Sequence, residues 1–526
     1  MERPDHGNTI ERRQVLRGLV AAGAMAGAGG LLSACSSTPS TSAAASPAST
    51  ARRRGGNLKV GLTGGSGTDT LDPHKGLTYL DSARAQSLYQ PLLQLNTNAQ
   101  TEFVLAEEIS PHGSTSDWVI RLRPGISFHD GRPLTADDVI FTLRRIVSGK
   151  LSGATSLGPI DLGGLKALDK RTVQVPMTSP YGSFIDQLAY WYYLYIVPSG
   201  FNPAKPNGTG PFKYQSFTPG QRSVFTRNEN YWKPGLPYVD SVTVIDFSDS
   251  TALQNALTTG IIQGAGGLEG PQLAALAAAG VRTVKSHTGA ITPFTMRVDQ
   301  APFNDVDVRQ AMRLLVDRQQ LIDSALDGDG TVGADVFSPY DPNYDTSLHR
   351  EQDIPQAKSL LKKAGQENLK VQLVTSAVAT GTVSMATVLA QQAQAAGVTI
   401  SLKTVDPGTF FGPNYLHWTF SQDFYNYSPY LGQVAESMLP TSPFNETHWS
   451  LPRYGDLYRQ ANATADPGLR REIEHEMQQI DFNQGGYIIP AFIDALDAYS
   501  TKITGYAAAR VGQPLSDFNF EQFSFA

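Results

Sequence analysis

Residue types that could act in hydrolysis occur in the chain, but in patterns that lack a necessary partner. A zinc protease helix needs two histidines one turn apart so that both reach the metal. His475 is followed by Glu476, but Gln479 stands where the second histidine would be. Ser66 lies in a glycine-rich run without the second glycine of a serine-hydrolase nucleophile elbow. The sequence therefore predicts no catalytic residue, no metal site and no cofactor, and a secreted hydrolase is the alternative from another class.

Two glycine-containing stretches resemble nucleotide-binding loops in part. Gly149-Lys150 has the glycine and lysine of a phosphate-binding loop, but Leu151 replaces the hydroxyl residue that should follow. Residues 328–333 match the GxGxxG pattern, yet they follow a predicted helix and precede none. A dinucleotide-binding turn instead joins a strand to a helix. We therefore predict a plain loop over 328–333 and no nucleotide site.

Length and charge narrow the class of protein further. The chain has 526 residues, which at roughly 150 residues per domain suggests three domains. Hydrophobic residues make up 40% and charged residues 17%, a composition that folds. The 42 basic and 48 acidic residues give a net charge of −6, and no basic stripe is interleaved with aromatic residues. This balance excludes a nucleic-acid-binding surface.

The N-terminus has the layout of an export signal. Residues 11–17 resemble a twin-arginine signal, and an uncharged segment rich in alanine and glycine follows them. That segment is too short and too rich in glycine for a membrane-spanning helix. Residues 32–35 resemble a lipobox, in which Cys35, the only cysteine, is lipidated after cleavage. We predict a signal peptide over 1–34 and, over 35–56, the lipidated cysteine with a disordered tether rich in Ser, Thr, Ala and Pro.

The alternation of apolar and polar residues predicts the elements that would position a site. In residues 117–123 the apolar Trp118, Ile120 and Leu122 fall on one face and Arg121 and Arg123 on the other, which is typical of a half-buried strand. Thr135 and Asp138 form a capping box that starts a helix. Other predicted strands cover 58–62, 241–247, 369–375, 398–405 and 487–492, and other predicted helices cover 305–326, 354–364 and 467–483. Mixed helices and strands indicate an α/β or α+β protein with several lobes.

Residues 117–139 resemble the signature of the bacterial extracellular solute-binding proteins of family 5. Members of this family are the oligopeptide and dipeptide receptors of ABC importers, with nickel-binding and sugar-binding relatives. We interpret His129 and Asp130 within the signature as turn residues, neither ligands nor catalysts. Further stretches resemble the family in the expected order, namely 71–75, 208–212, 227–232, 302–305, 308–311, 357–361 and 488–490.

The resemblance implies an α/β, two-lobed fold of the periplasmic-binding-protein type with an additional domain. Its cleft lies between the lobes and closes around the ligand by hinge motion. The resemblance also implies the order of the domains along the chain. Domain I covers 57–92, 199–289 and 487–526, domain II covers 93–198, and domain III covers 290–486.

The resemblance further implies where the ligand binds. Peptide-binding relatives hold the ammonium group of the ligand with an aspartate in an aromatic-x-x-Asp-aromatic run, which Phe420 and Asp423 fit. A carboxylate in a poorly hydrated cleft needs a cationic partner, so Asp423 is the predicted amine anchor. The alternative is that Asp423 caps a local turn.

Other predicted site residues match ligand-contacting positions of relatives or lie in the aromatic stretch around Asp423. They are Leu77, Thr78, Tyr79, His417, Trp418, Phe420 and Tyr425. His417 matches a position where relatives carry a basic residue toward the ligand carboxylate. The aromatic side chains would either stack on the ligand and make cation–π contacts or form an ordinary core.

The sequence thus predicts a lipid-anchored, extracytoplasmic receptor, monomeric and without enzymatic activity. It would capture peptides or another small amine-bearing solute and deliver them to an ABC permease and its ATPase. The membrane would be contacted through the lipid on Cys35. The alternative within binding proteins is a non-peptide ligand such as a metal chelate, a sugar or an aromatic compound.

Overall fold

The computed structural model describes residues 52–76, 78–189, 191–464 and 466–526, the side chain of Trp191 excepted. The predicted signal peptide, Cys35 and the predicted tether up to residue 51 lie outside the described residues, as does Leu77. Among the helices in the described ranges, none combines the length and the apolar character needed to cross a membrane.

The largest sheet has seven strands, and Asn57–Thr63 lies near its middle. This strand pairs in parallel with Ser241–Phe247 on one side and Gly264–Ala265 on the other. The spatial order is Phe212–Thr218, Arg222–Arg227, Ser241–Phe247, Asn57–Thr63, Gly264–Ala265, Ala495–Tyr499 and Arg282–Ser286. Segments that are far apart in sequence therefore complete one sheet.

Two further sheets are built from other parts of the chain. A five-stranded sheet has the order Thr399–Thr404, Lys370–Thr375, Phe420–Gln422, Phe294–Met296 and Tyr487–Ile488. A four-stranded sheet has the order Ala106–His112, Ser114–Leu122, Thr172–Pro176 and Lys166–Ala167. Two-stranded pairs join Gln90–Pro91 with Tyr195–Ile196, Leu93–Leu95 with Thr101–Phe103, Gly330–Val332 with Ala491–Ile493, and Ile503–Thr504 with Ser524–Phe525.

Helices pack on these sheets and complete the apolar cores. The α-helices are Tyr79–Leu88, Ala136–Ser148, Phe184–Ala189, Ser250–Thr258, Gly270–Ala278, Val306–Leu314, Arg318–Ala325, Ile354–Lys363, Thr382–Ala393, Pro407–Phe410, Tyr430–Ser437, Pro452–Ala463, Pro467–Gln484 and Pro514–Asp517. Short 3₁₀ helices are Ser152–Ala154, Trp191–Tyr193, Gln394–Ala396 and Phe520–Gln522. One core spans the seven-stranded and four-stranded sheets, and another surrounds the five-stranded sheet.

The strand predicted over 117–123 and the helix after it are confirmed. The strand is Ser114–Leu122, with its apolar face buried, and the helix is Ala136–Ser148. The capping box is present, because the backbone N–H of Thr135 donates to Oδ2 of Asp138 over 3.0 Å. Other predicted elements are confirmed to within one residue at each end, namely Asn57–Thr63, Ser241–Phe247, Lys370–Thr375, Thr399–Thr404, Ile354–Lys363 and Pro467–Gln484.

His129 and Asp130 hold a turn together, as predicted. The backbone N–H of His129 donates to the carbonyl of Gly208 over 2.8 Å, and its Nε2 lies 3.1 Å from the carbonyl of Gly210. Asp130 accepts a hydrogen bond from the amide of Asn207 over 2.8 Å. Burial lowers the pKa of His129 to about 4, so the ring is neutral at pH 7. The two residues fix the chain around 207–210.

The helix predicted over 305–326 is wrong as one continuous element. The structure has two helices there, Val306–Leu314 and Arg318–Ala325. Asp317 is the reason for the second start, because its side chain accepts a hydrogen bond from the N–H of Gln320 over 2.9 Å. An aspartate in this position competes with helix continuation and favours a new N-terminus.

The strand predicted over 487–492 is also divided. Tyr487–Ile488 joins the five-stranded sheet, whereas Ala491–Ile493 pairs with Gly330–Val332. Pro490 lies between the two halves and has no N–H to donate to a ladder. The chain therefore leaves one sheet and starts another pairing after this proline.

The plain loop predicted over 328–333 is wrong in part, because Gly330–Val332 is a strand antiparallel to Ala491–Ile493. The glycine spacing has a packing explanation. A Cβ at Gly333 would lie 2.5 Å from the carbonyl oxygen of Ile489, closer than any side chain tolerates. Glycine is thus needed for the approach of two backbones.

A buried charge cluster joins this region to neighbouring segments. Asp335 lies 2.9 Å from Nη2 of Arg318, 2.6 Å from Nε of Arg350 and 4.0 Å from Nε of Arg313. It also accepts a hydrogen bond from the N–H of Ile489 over 2.9 Å. Burial would raise the pKa of Asp335, but the three guanidinium groups outweigh burial and lower it.

We predict that Asp335→Asn lowers the free energy of unfolding by about 3–5 kcal/mol, because it leaves buried guanidinium groups without a counter-charge. Urea unfolding followed by circular dichroism measures the loss. The matched control is Glu476→Gln, which breaks a half-exposed ion pair with Arg453 at 2.7 Å and should change stability by about 0.5 kcal/mol or less. Equal losses in the two variants would contradict the assigned role of the cluster.

Candidate functional site

A cavity of about 300 Å³ lies where three stretches of the chain meet. The first stretch supplies Gly76, Thr78, Tyr79 and Ser82; the second supplies Tyr192 and Tyr193; the third supplies Phe411, Tyr415, Leu416, Phe424, Tyr425, Asn426, Glu436, Pro443 and Phe444. Its volume is at the small end of the roughly 300–1,000 Å³ typical of ligand pockets. It is the candidate ligand site, because three of the predicted site residues, Thr78, Tyr79 and Tyr425, line it.

The start of helix Tyr79–Leu88 forms one side of the cavity. Thr78 caps this helix, since its Oγ1 accepts a hydrogen bond from the N–H of Asp81 over 3.1 Å. Tyr79 extends across the cavity wall, and its hydroxyl donates to Oδ1 of Asn426 over 3.3 Å. A Cβ at Gly76 would lie 2.7 Å from Cβ of Asp81, so the close turn before the helix needs glycine.

Five of the lining rings contact one another in a chain, which we call the ring chain. The distances between ring centroids are 6.0 Å for Tyr79 and Phe424, 6.5 Å for Phe424 and Phe411, 5.0 Å for Phe411 and Tyr415, and 6.4 Å for Tyr415 and Phe444. All four contacts are tilted or edge-to-face, an arrangement that aromatic quadrupoles favour. The ring chain presents a continuous aromatic surface to a bound molecule.

Asp423 lies behind this wall. It follows strand Phe420–Gln422, and its side chain is buried, with 2% of the residue exposed. Its Oδ2 accepts a hydrogen bond from the hydroxyl of Tyr415 over 2.8 Å, and its Oδ1 accepts one from the N–H of Phe424 over 2.8 Å. Asp423 therefore holds two residues of the ring chain in place.

Asp423 also forms a hydrogen-bonded pair with a second carboxyl, Glu446. The hydroxyl of Tyr425 donates to Oε1 of Glu446 over 2.9 Å, and that of Tyr487 donates to Oε2 over 2.6 Å. Burial, and then the charge of Asp423, raise the pKa of Glu446 well above its usual range, and burial raises the pKa of Asp423. Two carboxyls in contact in a dry site share one proton. The pair thus carries one negative charge, stabilised by hydroxyl donors.

The structure brings some predicted site residues to the cavity and not others. Thr78, Tyr79 and Tyr425 line it. Of the other described residues, Asp423 lies behind the wall, and Phe420, Trp418 and His417 are not part of the described lining. Leu77 is outside the described residues.

Phe420, Trp418 and His417 have other surroundings. Phe420 is buried in the core of the five-stranded sheet, 5.1 Å between ring centroids from Phe303. Nε1 of Trp418 donates to a backbone carbonyl over 3.3 Å, and Nζ of Lys403 lies 5.2 Å from the centroid of its ring. His417 is exposed beside His448. The position of Phe420 in the core follows from the alternation of side chains along the strand, because successive side chains point to opposite faces.

Sequence reasoning missed several lining residues, above all Tyr193 and Glu436. Two signals could have pointed to them. Residues 190–193 are an unbroken run of four aromatic residues. Glu436 is the only charged residue of helix Tyr430–Ser437, all of which is buried. An acidic residue in a buried helix signals a special environment, because burying a charge is costly.

We predict that the Asp423–Glu446 pair makes the protein less stable as the pH rises above about 4. The folded pair keeps a proton that the unfolded chain releases, so stability falls by about 1.4 kcal/mol per pH unit for each such proton. Glu446→Gln removes this titration and should reduce the loss of melting temperature between pH 5 and pH 8.

Asp481 and Asp497, whose pKa values burial raises to about 7, contribute in the same direction, so part of the pH dependence remains in the variant. Glu476→Gln serves as the control and should keep the full wild-type dependence. An unchanged pH dependence in Glu446→Gln would show that the pair holds no additional proton.

Comparison with known proteins places the chain in a family. Residues 101–453 match the family described as bacterial extracellular solute-binding proteins, family 5. The chain is 26% identical over 485 residues to the glutathione-binding protein GsiB of Escherichia coli strain K12, covering 87% of this chain and 92% of that protein.

Solved structures show the same fold. The Helicobacter pylori periplasmic binding protein DppA in complex with the peptide STSA has a TM-score of 0.80 and 20% identity, covering 90% of this chain and 98% of that chain. AgaA of A. tumefaciens R10 in complex with agropinic acid has a TM-score of 0.80 and 22% identity, covering 90% and 99%. The predicted two-lobed α/β fold of the periplasmic-binding-protein type is confirmed, and the chain belongs to the bacterial extracellular solute-binding proteins of family 5.

Proposed function

We propose that the protein is the extracytoplasmic receptor of an ABC importer and captures peptides or another small amine-bearing solute. The observation that carries this proposal is the 300 Å³ cavity, whose wall is assembled from stretches more than a hundred residues apart. A solute in such a cavity touches all three stretches at once and so favours the conformation in which they meet. The permease, with its ATPase, would recognise that conformation.

The three larger sheets support the proposed division into domains. Strands of the seven-stranded sheet fall in 57–92, 199–289 and 487–526, those of the four-stranded sheet fall in 93–198, and four of the five strands of the remaining sheet fall in 290–486. Each domain then contributes residues to the cavity. Closure around the solute would bring the second and third domains together.

One contact between those two domains supports closure. Nη2 of Arg470, on helix Pro467–Gln484, lies 2.6 Å from Oδ2 of Asp186, on helix Phe184–Ala189. Both side chains are partly exposed, so this ion pair is weak on its own. A weak contact suits a conformation that must open again to release the solute.

The sequence of the N-terminus supports the proposed location. An export signal over 1–34 and lipid on Cys35 would hold the receptor at the outer face of the membrane, beside its permease. The receptor would act as a monomer.

Thr78, Tyr79 and Tyr425 are the predicted site residues that we propose to contact the solute. We assign Asp423 a positioning role, since it acts on the cavity through Tyr415 and Phe424.

We predict that purified protein gains thermal stability with amine-bearing solutes in a panel of di- to pentapeptides, polyamines, sugars and metal chelates. A ligand at 100 times its Kd stabilises by about 2.7 kcal/mol. Tyr79→Ala removes one end of the ring chain and should weaken binding of the same solutes about tenfold or more, as measured by isothermal titration calorimetry.

The control is Tyr214→Ala, an exposed tyrosine on the seven-stranded sheet, which should bind like the wild type. Lack of stabilisation by every solute in the panel would contradict the proposed function. Conversion of a solute to product, detected by mass spectrometry, would favour the secreted hydrolase instead.

A further inference from the structure

The proposed domains II and III meet away from the cavity at a place where two backbones come very close. The N–H of Gly182, in domain II, donates to the carbonyl of Asn462, in domain III, over 2.5 Å. A Cβ at Gly182 would lie 2.7 Å from that carbonyl oxygen, closer than a side chain tolerates, and the other two nearest atoms belong to Asn462 and Thr464. Glycine is therefore needed at this position for the contact between the two domains.

The side chain of Asn462 spans the same contact. Its Oδ1 accepts hydrogen bonds from the N–H of Ser183 over 3.3 Å and from the hydroxyl of Ser183. Its Nδ2 donates to the carbonyl of Tyr458, in its own helix Pro452–Ala463, over 2.9 Å. Asn462 and Ser183 are both buried. Loss of either partner would leave buried polar groups of the other without a hydrogen bond, which is costly.

A buried amide in the same region has no such partner. Gln187 belongs to helix Phe184–Ala189 and is fully buried. Neither polar atom of its amide has a hydrogen-bond partner among the described residues. Its Nε2 lies 3.8 Å from the place where a Cβ would stand at Gly432, on helix Tyr430–Ser437 of domain III. Burying an amide without a partner is unfavourable, so this side chain opposes the contact that the other residues favour.

We propose, on the basis of the proposed function, that this contact sets the affinity of the receptor for every solute by the same factor. The closure contact, as we call it, joins Gly182, Ser183 and Gln187 of domain II to Gly432 and Asn462 of domain III. None of the five is among the described residues that line the candidate site, so they act on a solute through the fraction of the protein that is closed. A receptor that is closed only part of the time binds with an affinity reduced by that fraction.

The opposing contributions have a functional reason. A contact made only of satisfied hydrogen bonds would hold the protein closed without a solute. The unpaired amide of Gln187 and the partly exposed ion pair between Asp186 and Arg470 limit the stability of the closed form. A solute that binds the closed form can then shift the equilibrium towards it. Asn462 is thus a positioning residue that favours closure, and Gln187 is one that opposes it.

Three variants change closure in opposite directions. Gly182→Ala places a methyl group against the carbonyl of Asn462, and Asn462→Ala leaves the buried donors of Ser183 unpaired. Each should weaken binding about tenfold or more. Gln187→Met keeps the size of the side chain and removes the unpaired amide, so it should strengthen binding about threefold or more. A merely structural role of Gln187 would not produce this gain in affinity.

The probes are trialanine, Phe-Phe and spermidine, each measured by isothermal titration calorimetry. The ratio of the Kd of a variant to that of the wild type should agree within about twofold for every probe that binds. One control is Gly67→Ala, because no atom lies within 4 Å of the new Cβ. The other is Gln356→Met, at an exposed position of helix Ile354–Lys363. Both controls should bind like the wild type.

Amide hydrogen exchange gives a second readout, which needs no solute. The N–H groups of Gly182 and Ser183 donate across the closure contact, so they exchange when the contact opens. In the ligand-free protein we expect faster exchange at Gly182 in Asn462→Ala and slower exchange there in Gln187→Met. A bound probe should slow exchange at both amides of the wild type, although neither residue is among the described residues of the cavity wall.

Two results would overturn this inference. The first is Gln187→Met or Asn462→Ala binding the probes like the wild type. The second is a change confined to one probe, which would make the altered residue a solute contact; Asn462 borders a neighbouring cavity of about 830 Å³, so its variant tests this directly. Gly182→Ala is not needed for either result if it does not fold.

Failure of the proposed function is a separate outcome. If no probe and no solute of the wider panel binds, the proposed function falls, and with it the effect on affinity. Exchange at Gly182 in the ligand-free variants then shows whether the closure contact controls opening. Unchanged exchange in both Asn462→Ala and Gln187→Met would show that it does not.

Discussion

A buried pair of carboxyl groups needs hydrogen-bond donors and a shared proton, and the candidate site of this protein is arranged around that need. Asp423 accepts a hydrogen bond from the hydroxyl of Tyr415, and Glu446 accepts hydrogen bonds from those of Tyr425 and Tyr487. Since Tyr415 and Tyr425 also line the cavity, the polar network fixes the rings that a solute meets. Replacing either acid would therefore disturb the aromatic wall even though neither acid is among the described residues that line the cavity.

The acidic residues near the cavity are of two kinds, the Asp423–Glu446 pair and Glu436. The pair behind the wall is satisfied within the protein and acts in positioning. Glu436 lines the cavity. The two acids belong to different elements, because Asp423 follows strand Phe420–Gln422 of the five-stranded sheet and Glu436 belongs to the buried helix Tyr430–Ser437.

Much of the fold can be predicted from local signals in the sequence, whereas the residues that line the site cannot. The capping box at Thr135 and the alternation in 117–123 are set by neighbours in sequence, and both predictions are confirmed. Prediction fails where tertiary contacts determine the secondary structure. The strand Gly330–Val332, which pairs with Ala491–Ile493, has no local signal beyond its glycines. The cavity is an extreme case, because Tyr193 and Glu436 meet only after distant segments pack. Periodicity says that a residue is buried, but it does not say whether the residue faces a core or a cavity.

The most direct test of this account is a crystal structure of the protein with a bound peptide or other amine-bearing solute that stabilises it. We predict that the solute lies in the cavity and contacts Thr78, Tyr79 and Tyr425. Asp423 should keep its hydrogen bonds to Tyr415 and Glu446, as in the structure described above. An ammonium group bonded to Asp423, with Glu446 displaced from the pair, would contradict the account and would make Asp423 the anchor.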